Sequence, residues 1–493
     1  MVDPQEIEQL VNTAMQLDRA GQVDDAIVAY ETVLRQFPNL PDCWYNLGVL
    51  QRRMYRFSSA LAAYDQALLF GIEGPEEVHL NKAIIYSDHL HRPEVAEQEL
   101  QQALARNPGF AAAQFNLANL YEDLGRRQES ADIYKRIFQQ DDRCFEALAR
   151  YAALQKLTGH DDPLLGQLRA VLQNEQASVA DRSSVAFALG QLLDSCGDYA
   201  GAFGAYAEGN HLSRASAPPQ QARYDRDALE RYFAQLRAAF HRANAQATVR
   251  FGAQRPIFIC GLFRSGSTLV ERMISGHPAV HAGGELELVP RMVGSLLQPL
   301  PVAASMLTAN DLDRLAGAYL DYLRQAFPGA PVVTDKRPDN FQYLGFIKMM
   351  FPQAKIIQTL RHPLDVCLSM YFLHLDQRMS FAFDLGDLGH YYREYHRLMA
   401  HWRALYPQDI LDIDYDLLVQ EPRPIAERLL EYCGLDWNER CLDVGRADGV
   451  VKSASVWQAR EPFYQRSSGR WRNYREQLGP LRAALGDLCR PDT

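Results

Sequence analysis

Residues 259 to 273 read ICGLFRSGSTLVERM. From Gly261 to Thr268 the stretch matches the phosphate-cradling spacing G-x-x-x-x-G-K-[ST] at every fixed position but one, where Ser267 stands instead of lysine. Glycines at 261 and 266 let the backbone turn and approach a ligand closely, and the amides opening the next helix, with its dipole, favour an anion. Ser267 and Thr268 add hydroxyl donors. A nucleoside triphosphatase would also need the lysine on the β- and γ-phosphates and a strand-end acid for Mg2+. Here the apolar run KIIQTL ends in Arg361, and Arg264 sits inside the loop. Cations where a metal-chelating acid would stand suit an anionic ligand held without metal. On the glycines alone, a tight turn without a ligand is the competing reading.

Elements must hold these residues in place. From Pro256 onward short apolar runs alternate with longer amphipathic ones: PIFICG and a helix to Ser275; PVVTDK and a helix from about Leu344 to Phe351; AKIIQTL and a helix from Pro363; DILDIDYDLL and a helix from Pro424. This alternation predicts an α/β domain with a parallel sheet and helices on both faces. Functional residues then belong at the carboxyl ends of the strands. Pro363 suits a first helical position, which sets Arg361 at an electropositive helix start.

The N-terminal half repeats instead. Asn46, Asn81 and Asn116 recur every 35 residues, Tyr30 and Tyr64 are 34 apart with Tyr134 near twice that further on, and Ala26, Ala60, Ala96 and Ala131 each precede a large residue by about a turn. A period near 34 with paired helical patterns is that of tetratricopeptide repeats, about six of them between residues 7 and 210 with the third and fifth degenerate. The fold class expected is an α-solenoid of tetratricopeptide repeats followed by a P-loop-like α/β domain. Pro218-Pro219 interrupts the helices, and Leu229, Tyr232, Phe233, Leu236 and Phe240 follow helical spacing. The expected divisions are 1–215 for the solenoid, 216–250 for a linker with a helix, and 251–493 for the α/β domain.

With 493 residues, 47% of them hydrophobic, the chain can bury more than one core. Residues 251–493 hold 27 Lys+Arg against 28 Asp+Glu, leaving 24 against 33 for residues 1–250 from the totals of 51 and 61. This acidity argues against a nucleic-acid partner. It could favour a basic ligand in the repeat groove, although a solvated face explains it as well. No apolar run has membrane-spanning length, and the start MVDPQEIEQL lacks a signal core, so a cytoplasmic location is the expectation. The eight scattered cysteines read as small buried hydrophobes, and His281, His362 and His374 have no second ligand at metal spacing, so no metal site is expected.

The segments PIFICGLFRSGSTLVERMISGHPAVHAGGELELVP, TDKRPDNF, TLRHPLDVCLSMYF and SVWQAREPFYQRSSGRWRNY, in that order, resemble the sulfotransferases that use 3'-phosphoadenosine 5'-phosphosulfate (PAPS), most closely the tyrosylprotein-sulfotransferase-like branch. The resemblance covers residues 255 to about 475, and its union with tetratricopeptide repeats is similar to a bacterial-type architecture. It implies that Arg264, Ser265, Gly266, Ser267 and Thr268 clasp the 5'-phosphosulfate, that Arg361 and Ser369 take the 3'-phosphate, and that Ser455 and Arg470 contact the cofactor. Tyr415 matches a tyrosine near the adenosine, with core packing as the other reading. Residues 452 to 475 hold Lys452, Arg460, Arg466, Arg470, Arg472 and Arg475 against Glu461 alone, a composition suited to a lid over a highly charged nucleotide.

The resemblance also assigns the chemistry. Glu285 is the catalytic base, with Glu287 as fallback, and Lys336 lies on the transferred group, with Arg337 able to substitute and Asp335 able to pair with either. Arg264 and Ser455 complete the catalytic set. The reaction implied is in-line transfer of a sulfuryl group from PAPS to a hydroxyl, releasing 3',5'-ADP, with protein tyrosine, another phenol or an alcohol as acceptor, docked by the repeat groove if it is a peptide or protein. Gly284 ahead of the base and Phe263 ahead of Arg264 depart from the animal tyrosine-directed pattern, which leaves the acceptor open. Two other functions compete: a P-loop-type kinase with a displaced lysine, and a repeat scaffold whose second half binds nucleotide without turnover.

Overall fold

The computed structural model describes the chain except for residues 1–3, 158, 160, 241–245, 253, 298–299, 446–462, 464–466 and 490–493. It divides into two compact units, residues 1–137 and 138–493.

The first unit is built from helix pairs: α1 (Pro4–Arg19) with α2 (Val23–Gln36), α3 (Pro41–Arg53) with α4 (Phe57–Leu69), α5 (Pro75–Ile84) with α6 (Pro93–Arg106), and α7 (Ala111–Asp123) with α8 (Arg127–Gln140), whose last turn crosses the division. The repeating residues explain the pairing. Ala26, Ala60, Ala96 and Ala131 are buried where helices approach closely, and Tyr30, Tyr64 and Tyr134 fill the space one turn later.

The second unit opens with four more helices, α9 (Phe145–Ala153), α10 (Pro163–Leu172), α11 (Val179–Ser195) and α12 (Tyr199–Ser216), then α13 (Arg226–Ala239). The helical pattern read between 216 and 250 is therefore a real helix. The boundary expected at 215 falls inside this unit, because α9 to α13 share one hydrophobic core with the sheet domain: Leu192, Tyr206, Phe233 and Phe240 are buried in the same cluster as Phe258, Ile356, Phe372 and Trp402.

Five parallel strands follow, β1 (Arg255–Gly261), β2 (Val280–His281), β3 (Val332–Lys336), β4 (Lys355–Leu360) and β5 (Ile410–Asp414), in the order β2-β3-β1-β4-β5. Alternation along β1 sends Ile257 and Ile259 into one apolar cluster and Phe258 and Cys260 into the other, so the sheet is buried on both faces. The helices between and after the strands are α14 (Ser267–Ser275), α15 (Leu288–Leu296), α16 (Leu300–Ser305), α17 (Ala309–Ala326), α18 (Leu344–Met350), α19 (Pro363–Tyr371), α20 (Leu385–Leu405), α21 (Tyr415–Gln420), α22 (Pro422–Tyr432) and α23 (Gly479–Leu485). The chain leaves β1 toward β2 and β3 on one side and returns to β4 on the other. The β1/β4 boundary is thus the topological switch point, where α/β sheets open a crevice at their carboxyl ends. Among the described residues no helix is long and apolar enough to cross a membrane.

Asp335 lies at the heart of this sheet. It pairs with neither Lys336 nor Arg337; it accepts hydrogen bonds from the Tyr319 hydroxyl at 2.7 Å and the Asn340 amide at 3.1 Å. Burial pushes its carboxyl up to about 7, against the lowering effect of those two donors. A carboxyl raised on folding contributes stability that is full below its unfolded pKa near ~3.9 and is lost as pH rises through the folded value. The melting temperature of Asp335→Asn should therefore gain on the wild type as pH rises from 4 to 8, read by fluorimetry across that range. Parallel curves would contradict this account.

Candidate functional site

The loop after β1 is held from below. The Ser265 hydroxyl contacts the Leu262 carbonyl and the Thr359 hydroxyl, both at 2.6 Å, and the Ser265 amide donates to Leu262 O at 3.1 Å. Ser265 is thus a latch between the tips of β1 and β4, and its own hydroxyl is engaged there. Gly266 has φ 102°, and a Cβ on it would lie 2.5 Å from the Tyr415 ring, so both backbone and packing exclude a side chain. It begins α14 without a side-chain cap, so the capping residue offers the amides of Ser267 and Thr268 no side-chain acceptor.

Around this turn the cations converge. Arg264 takes a left-handed φ of 70°, uncommon for a residue with a side chain, and its Nε donates to Ser369 Oγ at 3.0 Å. Arg361, only 8% exposed, donates from Nη1 to the Arg264 carbonyl at 3.0 Å and from Nη2 to the Ser467 carbonyl, and its guanidinium lies 5.0 Å from the Tyr415 ring centroid. Among the described residues, its buried Nε has no partner. Pro363 is the first helical residue of α19, as its type suggests, so Ser369 is carried back toward the loop two turns later. Arg264, Gly266, Arg361, Ser369 and Tyr415 are therefore one cluster at the switch point.

The remaining expected residues lie on β3 and the segment before α15. Lys336 ends β3 in register with Ile259, two residues short of Gly261. Its ammonium, with the side chain 2% exposed, is 2.7 Å from Glu285 Oε1, whose side chain is 37% exposed. Glu287 is separate, ion-paired with Arg337, which also holds Asp339. The structure thus distinguishes two neighbouring acids that look alike in the sequence.

The C-terminal segment is fastened by acids that sequence reasoning missed. Asp365 in the first turn of α19 accepts from the Gly469 and Trp471 amides at 2.7 and 2.9 Å, and Asp416 binds the Ser468 hydroxyl and the His362 amide. Burial raises the Asp365 carboxyl while Arg361 opposes this. Arg470, expected at the cofactor, is ion-paired in this structure: its Nη2 is 2.7 Å from Asp194 at the end of α11, and its guanidinium lies over Phe372. Ser455, Lys452, Arg460 and Arg466 lie outside the described residues.

Two further unanticipated groups are Glu271 in α14 and Thr334 in β3, both buried and hydrogen-bonded to each other at 2.7 Å. One signal was legible: Glu271 is four residues after Ser267, on the same helical face as the cradle. Of the histidines, His362 stacks on Trp471, His374 on Phe187, and His281 lies by Phe327. Among the described residues, Glu230, His390 and Glu394 are close enough to share a cation, but Arg397 donates to Glu394 and Tyr224 contacts His390, the arrangement of an ion-pair network.

Fold and site together define an α/β domain of P-loop type whose switch point gathers arginines around an uncapped helix start. The sulfotransferase family model matches residues 256–439, and the tetratricopeptide repeat model matches residues 12–77 and 89–142. Residues 256–439 thus carry the sequence pattern of the sulfotransferase family, and the segments before them that of tetratricopeptide repeats. An uncharacterized protein of Aquifex aeolicus (strain VF5) is 30% identical over 403 residues, 78% of this chain and 51% of that protein. Protein-tyrosine sulfotransferase 1 of Danio rerio is 26% identical over 237 residues, 44% of this chain and 65% of its own. The chain thus spans between half and two thirds of the length of these relatives. The sulfotransferase domain of the Synechococcus PCC 7002 olefin synthase shares 24% identity at a TM-score of 0.36, covering 46% of this chain and 91% of that one.

Proposed function

We propose that the protein transfers a sulfuryl group from PAPS to a hydroxyl acceptor, with Glu285 as base. The observation that carries this reading is the cluster of Arg264, Ser369 and Arg361 against the uncapped start of α14, with the Lys336–Glu285 pair at the end of the neighbouring strand. Among the described residues the buried Nε of Arg361 has no partner, which supports an anionic ligand there, since a buried donor left unmet is costly. Ser369 and Arg361 would bind the 3'-phosphate end, and Arg264 with the Gly266–Thr268 turn the 5' end, with Tyr415 packed beneath. PAPS supplies the sulfuryl group and departs as 3',5'-ADP.

The chain's own residues do the rest. Lys336 neutralises charge on the bridging oxygen, a task suited to a flexible point charge. Glu285 accepts the acceptor's proton. A carboxylate is too weak a base to ionise a phenol of pKa about 10 in advance, so proton removal is concerted with attack. Because Lys336 and Glu285 hold each other at 2.7 Å in this structure, the anion's arrival must divide them, leaving Lys336 to the donor and Glu285 to the acceptor.

The name of the Danio rerio relative, a protein-tyrosine sulfotransferase, favours tyrosine as acceptor, and the repeats offer a surface for a peptide or protein. Eight free cysteines suit a reducing, cytoplasmic setting. The test is ligand-dependent melting. 3',5'-ADP should raise the melting temperature, by about 2.7 kcal/mol of added stability at 100 times its Kd, while 5'-AMP and ATP do far less. Equal shifts for all three would remove the 3'-phosphate assignment, and turnover of labelled PAPS that stops with EDTA would favour a metal-dependent reading.

A further inference from the structure

We propose that Glu271 is the positioning residue for the base: its buried carboxylate anchors the segment that carries Glu285 to the phosphate-cradle helix. This rests on the reading of Glu285 as base. Glu271 is 6% exposed in α14. Its Oε1 alone accepts two hydrogen bonds, from the Gly284 amide at 3.0 Å and from the Thr334 hydroxyl at 2.7 Å.

Those contacts belong to a short truss. The Gly283 amide donates to Thr334 Oγ1 at 3.1 Å, and the Lys336 amide donates to the Gly284 carbonyl at 2.8 Å. Gly283 lies so close to β3 that a Cβ would be 2.1 Å from the Thr334 carbonyl. The two residues before Glu285 are therefore tied to the strand that ends in Lys336, and through Glu271 to the helix whose first turn faces the proposed 5' end of the donor. Cradle, base and lysine are three separate pieces of chain, and Glu271 touches or senses all of them: its titration responds to Lys336 and Glu285 as well as to burial, which raises it. Nothing in the transfer reaction needs a carboxylate at this depth. Burying a carboxyl is costly unless its oxygens are hydrogen-bonded, and here both bonds come from parts that fix the base.

The geometry separates position from charge. Glutamine keeps a carbonyl oxygen that accepts the same two donors, whereas alanine keeps neither. Glu271→Ala should lower kcat on the order of 10²-fold, the cost of a displaced reacting group, with the PAPS KM and the 3',5'-ADP melting shift unchanged. Glu271→Gln should restore most of the rate. From the strand side, Thr334→Val should repeat the defect and Thr334→Ser relieve it, which keeps the test alive if Glu271→Ala does not fold. Amide hydrogen exchange over residues 276–288 reads the truss without turnover: faster in the alanine and valine variants, restored by glutamine and serine. Wild-type kcat and exchange in Glu271→Ala would overturn the proposal, as would a glutamine variant no better than alanine. Should the wild type transfer no sulfuryl group to any phenol or peptide tried, the functional reading falls, and exchange by itself then decides the role of Glu271.

Discussion

Replacing Glu285 by alanine is expected to lower kcat by a factor of about 10²–10⁴, the usual worth of a positioned general base, while 3',5'-ADP still raises the melting temperature. The second half of that expectation is the more specific. Glu285 is the acid paired with Lys336, and the lysine side chain is almost wholly buried, so the free variant carries an ammonium that has lost its carboxylate. The free protein should melt lower, since removing one partner of a buried pair leaves the other uncompensated. An anionic nucleotide then meets a lysine it no longer has to take from Glu285, and the ligand-induced shift should be as large as in the wild type or larger. Glu287→Ala is the matched control, because Glu287 is engaged by Arg337 at the surface and should cost little rate. A Glu285→Ala enzyme with full activity on its acceptor would refute the base assignment and return Glu287 to consideration.

A fragment limited to residues 251–493 is expected not to fold, whereas residues 138–493 should melt cooperatively. The cause is a shared core. Tyr206 of α12 stacks on Phe372 with ring centroids 3.9 Å apart, Asn210 donates to the Tyr371 carbonyl at 2.8 Å, and Asp194 binds both Arg470 and Tyr474. Phe240 lies against Gly345 so closely that a Cβ there would be 2.3 Å from the ring. Cutting at 251 uncovers Phe372, Tyr371 and Trp402 and strands Arg470. At roughly 1.5–3 kcal/mol for each large apolar side chain returned to water, these losses total about 4.5–9 kcal/mol, comparable with the ~5–15 kcal/mol net stability of a typical domain. Circular dichroism melts and gel filtration of both fragments measure this. A sharp, wild-type-like transition for 251–493 would mean that α9 to α13 are accessory.

Within the repeats, the recurring Ala and Tyr positions are the buried ones, and along the sheet the alternating apolar runs are the strands. These features were legible because each depends on neighbours one or two turns away. The same holds for the loop: Gly266 in a left-handed turn and Pro363 at a helix start are local needs of local backbone. Resemblance then selected Arg264, Arg361, Ser369 and Tyr415, which do meet in space.

Other partnerships could not be read this way. Asp335 lies beside Lys336 and Arg337 in the sequence, yet its bonds go to Tyr319 and Asn340; that Asp194 also holds Arg470, and that Ser265 also latches two strands, has no local signature. Glu271 was passed over although it ties cradle to base. Residue type and spacing fix what a segment does with its own neighbours, because helix and strand periods are properties of a single piece of backbone. Which charge meets which across tens or hundreds of residues, and which helices complete the core of which sheet, is decided only when buried faces come together and every polar group carried inside must find an acceptor or donor there.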